Sequence, residues 1–235
     1  MRGLALRGVF VTGTDTGCGK TVVATGLLRV LSEAGRRAAG FKPVAAGAEP
    51  TPHGLRNEDA LALQAASLPG IPYQDVNPLC YAPPIAPHIA AAESGCPIRF
   101  AAIREAHDRL AARVDTVVAE GAGGWRVPLG NDGDMADLAA MLGYPVVLVV
   151  GLRLGCLNHA LLSAESIRSR GLPLFGWVGS AVDSDMARRD ENVATLREAL
   201  PAPCLGVVPR LSRPHPGEVA KALDGFRAML ATRTD

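Results

Sequence analysis

The chain has 235 residues, a formal net charge of +1 and five widely spaced cysteines. This length is enough for one α/β domain with a substantial core, so we predict a single domain over residues 1–235. The near-zero charge argues against nucleic acid or an anionic membrane surface as a partner, and the cysteines fit a reducing compartment better than a disulfide framework or a zinc site.

The first predicted element is a strand and not a signal peptide. In "MRGLALRGVFVTG", Arg7 interrupts the apolar run, and Val9, Phe10 and Val11 are the β-branched and aromatic residues typical of a buried strand. The longest apolar run of the chain, residues 145–151, is far shorter than the ~20 residues that span a membrane. We therefore expect a cytoplasmic protein that binds neither membrane nor nucleic acid.

A phosphate-binding loop follows this strand in "VFVTGTDTGCGKTVVATGLL", residues 9–28. The loop is one residue longer than the usual pattern G-x-x-x-x-G-K-[ST], because Thr14 occupies the place of the first glycine and Gly13 precedes it. Apolar residues at helical spacing come next, so strand, loop and helix have the order that a phosphate site requires. Lys20 supplies a point charge, and the Thr21 hydroxyl is a candidate Mg²⁺ ligand. The predicted phosphate-binding residues are Gly17, Cys18, Gly19, Lys20, Thr21 and Val22.

Short apolar strands then alternate with helical patterns, which indicates a parallel sheet covered by helices on both faces. The further predicted strands are "RAAGFKPV" (residues 37–44), "VDTVVAEGAGG", "PVVLVVG", "FGWVGSAV" and "CLGVVP". The further predicted helices are "NEDALALQAAS" with Asn57 as N-cap, residues 89–93, residues 101–113, "NHALLSAESIRSRG", "DENVATLREAL" and one closing helix, "GEVAKALDGFRAML". The proline-rich tract 69–87 is predicted to be a loop. The predicted fold class is α/β, with a doubly wound, mostly parallel sheet of the P-loop nucleoside triphosphate hydrolase type.

Polar residues at predicted strand ends are the next candidates, because ligands of such sheets lie outside the carboxyl ends of the strands. Lys42 follows the second strand, where a lysine is also common as a solvated strand end. Glu120 ends "TVVAE" in the manner of a Walker B carboxylate that meets Mg²⁺, although a surface acid at a strand end has the same pattern. Asp59, taken alone, is more commonly a charge at a helix start.

Together these motifs resemble the dethiobiotin synthetase family over nearly the whole chain. The matching segments are "FVTGTDTGCGKT", "GFKPVAAG", "GLRNEDALAL", "NPLCYAPPIAPHIAA", "EGAGGW", "VVLVVGLRLGCLNHALL", "GWV" and "PAPCLGVVP". A P-loop that is one residue longer is itself typical of this family. Its members are ligases of biotin biosynthesis that close a cyclic urea on 7,8-diaminononanoate with CO₂, ATP and Mg²⁺. The reaction passes through a carbamate and a mixed carbamic–phosphoric anhydride.

The resemblance implies a role for each matching residue. Lys42 would contact the carbamate and the γ-phosphate, Lys20 the phosphates, and Thr16 the substrate, so these three are the implied catalytic residues. The implied Mg²⁺ ligands are Thr21, Asp59 and Glu120. The implied nucleotide-binding residues besides the loop are Asp59, Glu120, Gly121, Ala122, Gly123, Ser180, Ala181, Pro209, Arg210 and Leu211. The implied substrate-binding residues are Thr16, Lys42, Ala46, Gly123, Cys156, Leu157 and Asn158.

The resemblance also implies a homodimer with shared active sites. The helix start at Cys156, Leu157 and Asn158 would reach the carboxylate of a substrate bound to the other subunit. A helix N-terminus suits an anion without a basic side chain. The alternative is an ordinary helix start in a monomer whose site is complete.

Two positions depart from the family pattern. Ala46 stands where many members have a hydroxyl residue that contacts the substrate, so a backbone group or a water would have to replace it. Ser180 stands where the family often has an asparagine that reads adenine, so we expect weaker selection of ATP over other triphosphates.

Two other classes share this type of loop. An ATPase switch that dimerises on ATP and recruits partners would have a lysine where this chain has Asp15, and often a basic tail, whereas "ATRTD" ends this chain with mixed charge. An amidoligase that makes cobalamin precursors needs an attached glutaminase domain, for which 235 residues leave no room. The acidic and hydroxyl side chains of Asp15 and Thr16 instead suit a pocket for a cationic diamine.

Overall fold

The computed structural model describes residues 6–232, which form a central parallel sheet with helices on both faces. In these residues the strands are β1 (Gly8–Gly13), β2 (Ala38–Phe41), β3 (Val44–Ala46), β4 (Glu49–Thr51), β5 (Gly54–Arg56), β6 (Leu79–Tyr81), β7 (Thr116–Glu120), β8 (Val146–Gly151), β9 (Leu174–Ser180) and β10 (Cys204–Val208). The helices are α1 (Lys20–Glu33), α2 (Glu58–Ala66), α3 (Tyr73–Val76), α4 (Pro87–Glu93), α5 (Phe100–Ala111), α6 (Met135–Leu142), α7 (Cys156–Ser169), α8 (Arg189–Ala199), α9 (Pro216–Lys221) and α10 (Asp224–Ala231).

The central sheet has the strand order β10-β9-β8-β1-β7-β2, and every pairing in it is parallel. The strands β1, β7 and β8 are buried along their whole length, as their nearly continuous apolar sequences predict for strands covered on both faces. The strands β7 and β2 lie on one side of β1 and β8, β9 and β10 on the other, so the loop after β1 lies at the point where a doubly wound sheet binds its ligand. The predicted fold class is confirmed.

Three predicted segments differ from the structure. The tract 69–87, predicted as loop, contains α3 and β6, because Tyr73 and Val76 are buried and β6 pairs with β3. The segment 37–44 is not one strand: β2 ends at Phe41, and β3 belongs to a separate sheet. Pro43 stands between these two strands and has no N–H to donate to a ladder.

The closing helix is also divided. It consists of α9 and α10, with a non-helical backbone at Leu223 between them. The break allows Leu223 and Phe226 both to be fully buried.

The remaining predictions concern the two ends of the chain, membrane helices and the number of domains. The first strand is confirmed from Gly8 onward, whereas residues 1–5 of the quoted N-terminal segment, and residues 233–235 of the tail, lie outside the described residues. Within residues 6–232 no helix combines the length and the apolar character needed to cross a bilayer. The single domain over residues 1–235 stays a prediction.

Candidate active site

The additional residue of the P-loop continues the first strand. The backbone N–H of Thr14 donates to the carbonyl of Val149 at 2.9 Å, and the Thr14 hydroxyl accepts from the N–H of Gly151 at 3.2 Å. Both contacts tie Thr14 to β8, so the loop proper begins after it. A Cβ on Gly13 would lie 2.2 Å from Cys18 Sγ, which explains why glycine precedes Thr14. Cys18 itself is fully buried beneath the loop.

The loop ends at the start of α1. Gly19 is the N-cap residue with φ 92°, a left-handed conformation that favours glycine, and Lys20 is the first residue of the helix. Lys20 Nζ donates to the carbonyl of Asp15 at 3.1 Å and thus spans the loop. The free N–H groups of this helix end and the Lys20 ammonium together form the positive environment that a phosphate requires.

A charged cluster lies beside the loop. Lys42 Nζ is 2.6 Å from Glu120 Oε1 and 2.9 Å from Asp59 Oδ2, and the Thr21 hydroxyl donates to Glu120 Oε1 at 2.8 Å. The side chain of Lys42 is 3% exposed and that of Glu120 is 0% exposed, whereas that of Asp59 is 45% exposed. Buried charges are stable only when they are paired and hydrogen-bonded, as these are.

The opposite charges of the cluster stabilise the ionised forms of Lys42 and Asp59. Burial alone would lower the pKa of the Lys42 ammonium, but the carboxylates of Glu120 and Asp59 outweigh this and raise its pKa above the usual value. Burial would likewise raise the pKa of Asp59, but the positive charge of Lys42 outweighs it and lowers that pKa. Lys42 is therefore a cation, and Asp59 an anion, near neutral pH.

The sheet brings these side chains together. Lys42 directly follows β2 and Glu120 ends β7, and the two strands pair with Phe41 opposite Ala119. Asp59 lies in the first turn of α2, where the Asn57 side chain accepts from the N–H of Ala60 and caps the helix. Neither strand end is solvated, so the simpler interpretations of Lys42 and Glu120 as surface charges are wrong.

A cavity of about 750 Å³ opens over the loop and the cluster. Eleven of its lining residues were predicted as site residues: Thr16, Gly17, Gly19, Lys20, Thr21, Val22, Lys42, Ala46, Asp59, Ala122 and Gly123. The other lining residues were not predicted as site residues: Ala45, Asn57, Pro84, Ile85, Ala86, Pro87 and Val127. Four of these form the segment "PIAP" of the proline-rich tract. The prolines, which fix the backbone, are the sequence feature that could have indicated a cavity wall here.

Other predicted site residues lie outside this lining. Cys18 and Glu120 are directly behind it, and Gly121 follows Glu120. The predicted carboxylate-binding residues begin α7, which follows β8, and the predicted base-binding residues lie at or after the ends of β9 and β10: Cys156, Leu157, Asn158, Ser180, Ala181, Pro209, Arg210 and Leu211. Their roles stay predictions.

The cluster suits Mg²⁺ by its chemistry. Within residues 6–232 no set of three or more His, Cys, Asp or Glu side chains is arranged as a metal centre, so a metal here would have two carboxylates and a hydroxyl at most. Mg²⁺ uses few protein ligands and keeps several waters, which is compatible with that set. Glu120 Oε2 is buried and lacks a hydrogen-bond partner among the described residues, so one carboxylate oxygen is free for a further ligand.

Comparison with known proteins decides the family. A family model described as an AAA domain matches residues 7–216. The ATP-dependent dethiobiotin synthetase BioD of Pseudomonas aeruginosa (strain UCBPP-PA14) is 56% identical over 216 residues, which are 92% of this chain and 95% of that protein. The chain belongs to the dethiobiotin synthetase family. The synthetase of the same name from Chromohalobacter salexigens is 54% identical, over 91% of this chain and 94% of that protein.

Solved structures confirm the fold and nothing further, since their identities to this dethiobiotin synthetase family member are low. The MinD cell division protein of Aquifex aeolicus superposes with a TM-score of 0.56 at 12% identity, over 96% of this chain and 97% of that one. A putative plasmid partition protein of Borrelia burgdorferi bound to AMPPNP gives 0.57 at 14% identity, over 95% and 98%. A cell division protein and a plasmid partition protein thus share the fold, while the sequence relationship is to the synthetases.

Proposed function

We propose that this protein is an ATP-dependent dethiobiotin synthetase that closes the urea ring of 7,8-diaminononanoate with CO₂. The observation that carries the proposal is the meeting of Lys42 with the P-loop helix start in one cavity, in a chain more than half identical to named synthetases. An ATPase switch needs the phosphate site. It does not require a second, buried lysine beside that site or a cavity of this size.

The reaction makes defined demands on the site. One amine of the substrate adds to CO₂ and loses a proton to give a carbamate. A carbamate oxygen then attacks the γ-phosphorus and expels ADP, and the second amine attacks the carbonyl carbon, loses its proton and expels phosphate. The residues must therefore hold an oxyanion in line with the phosphoryl group and stabilise the charge that spreads over it.

Two lysines suit this demand. Lys20, at the start of α1, faces the phosphates together with the loop N–H groups, and Lys42 presents a buried cation next to them. A cation excluded from water interacts with developing charge more strongly than a solvated one. Thr16 lies on the cavity side of the loop, where its hydroxyl is available to a substrate amine.

Thr21, Asp59 and Glu120 would hold Mg²⁺, directly or through waters. When bound, the ion neutralises phosphate charge and withdraws electrons from the transferred phosphoryl group. The Glu120 carboxylate already accepts from the Thr21 hydroxyl, so both groups are oriented toward the same point.

The substrate chain has an apolar place in the same cavity. Ala45, Ala46, Ile85 and Val127 are part of its lining, and a hydrocarbon chain buried against them gains the ordinary hydrophobic stabilisation. The Ala46 carbonyl already accepts from Asn57 Nδ2 at 3.2 Å, so a water is the better replacement for the hydroxyl that relatives place there.

A homodimer would complete the site. Leu154, two residues before α7, is 96% exposed, and Leu161 and Leu162 are exposed on that helix. Large apolar side chains grouped in this way favour burial against a second subunit. The same contact would bring the start of α7 toward the substrate carboxylate of the partner. A cytoplasmic location also stays a prediction, to which five free cysteines are suited.

The test is direct. The protein is incubated with the diamine, bicarbonate and Mg-ATP, and the product is examined by mass spectrometry for the cyclic urea, with phosphate release measured in parallel. We expect the urea to form and phosphate release to depend on the diamine. Phosphate release at the same rate without the diamine, and no urea, would instead indicate an ATPase switch.

A further inference from the structure

The backbone of Lys42 is held by a short helix that lies outside the cavity lining. The Lys42 N–H donates to the carbonyl of Val76 at 2.7 Å, and the Lys42 carbonyl accepts from Asn77 Nδ2 at 2.7 Å. Both partners belong to the C-terminal end of α3, of which Asn77 is the C-cap. Lys42 lies beyond the end of β2. These two hydrogen bonds therefore fix its backbone in place of the strand-to-strand hydrogen bonds of the sheet.

The hydrogen bonds continue from Asn77 to the start of α2. The Tyr73 hydroxyl donates to Asn77 Oδ1 at 2.9 Å and accepts from the backbone N–H of Asn57 at 2.8 Å. Asn57 caps α2, and Asp59 is in the first turn of that helix. One buried chain of hydrogen bonds therefore connects the backbone of Lys42 with the element that carries its partner Asp59.

Each group in this series of hydrogen bonds has a defined role as donor or acceptor. Burial raises the pKa of Tyr73 to about 12, so its hydroxyl stays protonated and acts as the donor to Asn77. The Arg56 guanidinium lies 4.2 Å from the centre of the Tyr73 ring and covers it. Tyr73, Asn57 and Asn77 are all buried, and a buried polar network that is fully paired is rigid.

We propose that Tyr73 and Asn77 are positioning residues of the reaction: they hold Lys42 and Asp59 at the relative position that places the Lys42 ammonium beside the phosphates. The inference rests on the role proposed above for Lys42. Neither residue lines the cavity, so each acts only through Lys42 and the start of α2. A displacement of a catalytic group by even about 1 Å costs up to ~100-fold in rate.

The test compares two tyrosines. Tyr73→Phe removes the bridging hydroxyl, and Tyr81→Phe is the matched control, since Tyr81 is also buried and donates one hydrogen bond, to the carbonyl of Cys96 at 2.9 Å. The measurements are melting temperature, kcat, KM for the diamine and for ATP, and the Kd of an ATP analogue. We expect both variants to melt earlier, but only Tyr73→Phe to lower kcat, by about 10- to 100-fold, with the Kd unchanged.

Asn77→Ala and two double variants complete the design. Asn77→Ala should lower kcat as Tyr73→Phe does, and the two changes together should cost no more than one, because they interrupt the same chain. Tyr73→Phe added to Lys42→Ala should cost nothing further. A kcat for Tyr73→Phe within twofold of that for Tyr81→Phe, or full additivity with Lys42→Ala, overturns the inference. If Lys42→Ala itself retains turnover, the proposed role of Lys42 is what fails.

Discussion

The Lys42 ammonium lies 2.6 Å from Glu120 Oε1, although the two residues are 78 positions apart in the chain. They meet because β2 and β7 are neighbours in the sheet and both end at the same edge. The pair is buried, and Glu120 also accepts from Thr21 of the P-loop helix. The P-loop helix, a buried carboxylate and the lysine that we propose to be catalytic are thus joined by direct hydrogen bonds.

The first prediction concerns the two lysines of the cavity. Lys42→Ala and Lys20→Ala should each lower kcat by ~10²–10³-fold, because each removes a cation from a charged transition state. Lys221→Ala, on the exposed face of α9, is the matched control and should leave kcat unchanged. Turnover within tenfold of the parent for Lys42→Ala would contradict its assigned role.

Lys42→Ala should also lower the melting temperature. Glu120 is fully buried, and without Lys42 its negative charge keeps only the Thr21 hydroxyl as a partner. A buried charge that loses its ion-pair partner is destabilising. The rate must therefore be measured well below the melting temperature of the variant, so that loss of folded protein is not taken for loss of chemistry.

The second prediction concerns metal. Asp59→Asn and Glu120→Gln should both raise the Mg²⁺ concentration that gives half-maximal turnover, since each removes a charged oxygen ligand from the proposed site. Glu33→Gln, at the opposite end of α1 and paired there with Arg29, removes one carboxylate far from the cavity and serves as the control. An unchanged Mg²⁺ requirement in both site variants would show that the ion is held elsewhere.

The third prediction concerns the shared site. Asn158→Asp places a negative charge in the first turn of α7, where it suits the helix but repels a substrate carboxylate, so KM for the diamine should rise. Lys42→Ala and Asn158→Asp damage different halves of the proposed composite site. Mixed in equal amounts and allowed to exchange subunits, they should regain about a quarter of the parent activity at low diamine concentration. A mixture that is no more active than its components would favour a monomer with a complete site.

The sequence predicts the sheet well because its strands are buried on both faces. A short, continuous apolar run such as that of β8 is readily interpreted as a buried strand. The phosphate-binding loop before Lys20 then indicates which edge of the sheet binds the ligand. The doubly wound class predicts the same binding edge, but not the strand order, in which β7 lies between β1 and β2. Lys42 and Glu120 could be proposed as residues of one site because both follow or end strands at that edge, whereas their ion pair was not predicted.

Other parts depend on contacts between distant segments and were missed. The short helix α3 is only four residues long, and it is stabilised by bonds to Lys42 and Asn57 and not by its own periodicity. The hairpin β4–β5 and the helix α6 were not predicted either. For α6 a local signal was present, because Asp134 and Asp137 form a capping box three residues apart.

The last prediction concerns Ser180, which packs against the P-loop. A Cβ on Gly19 would lie 2.4 Å from Ser180 Oγ, and the N–H of the next residue, Ala181, donates to the carbonyl of Val208 at 3.0 Å. The end of β9 is thus fixed to both the loop and the end of β10. Arg210 donates to the carbonyl of Val182 at 2.6 Å, which ties the segment that we expect over the base to the same strand end.

From this position a serine offers one short hydroxyl, whereas an asparagine amide can both donate to and accept from the edge of adenine. A paired amide contact of this kind is worth about 1–3 kcal/mol of base selection. The loop grips phosphates that every triphosphate shares, so we expect the parent to use CTP and GTP as well as ATP, and Ser180→Asn to sharpen the preference for ATP. The measurement is kcat/KM for each triphosphate, with Ser180→Ala as the control that should match the parent. If the parent already prefers ATP to CTP by more than about a hundredfold, backbone groups near Pro209 must read the base without Ser180.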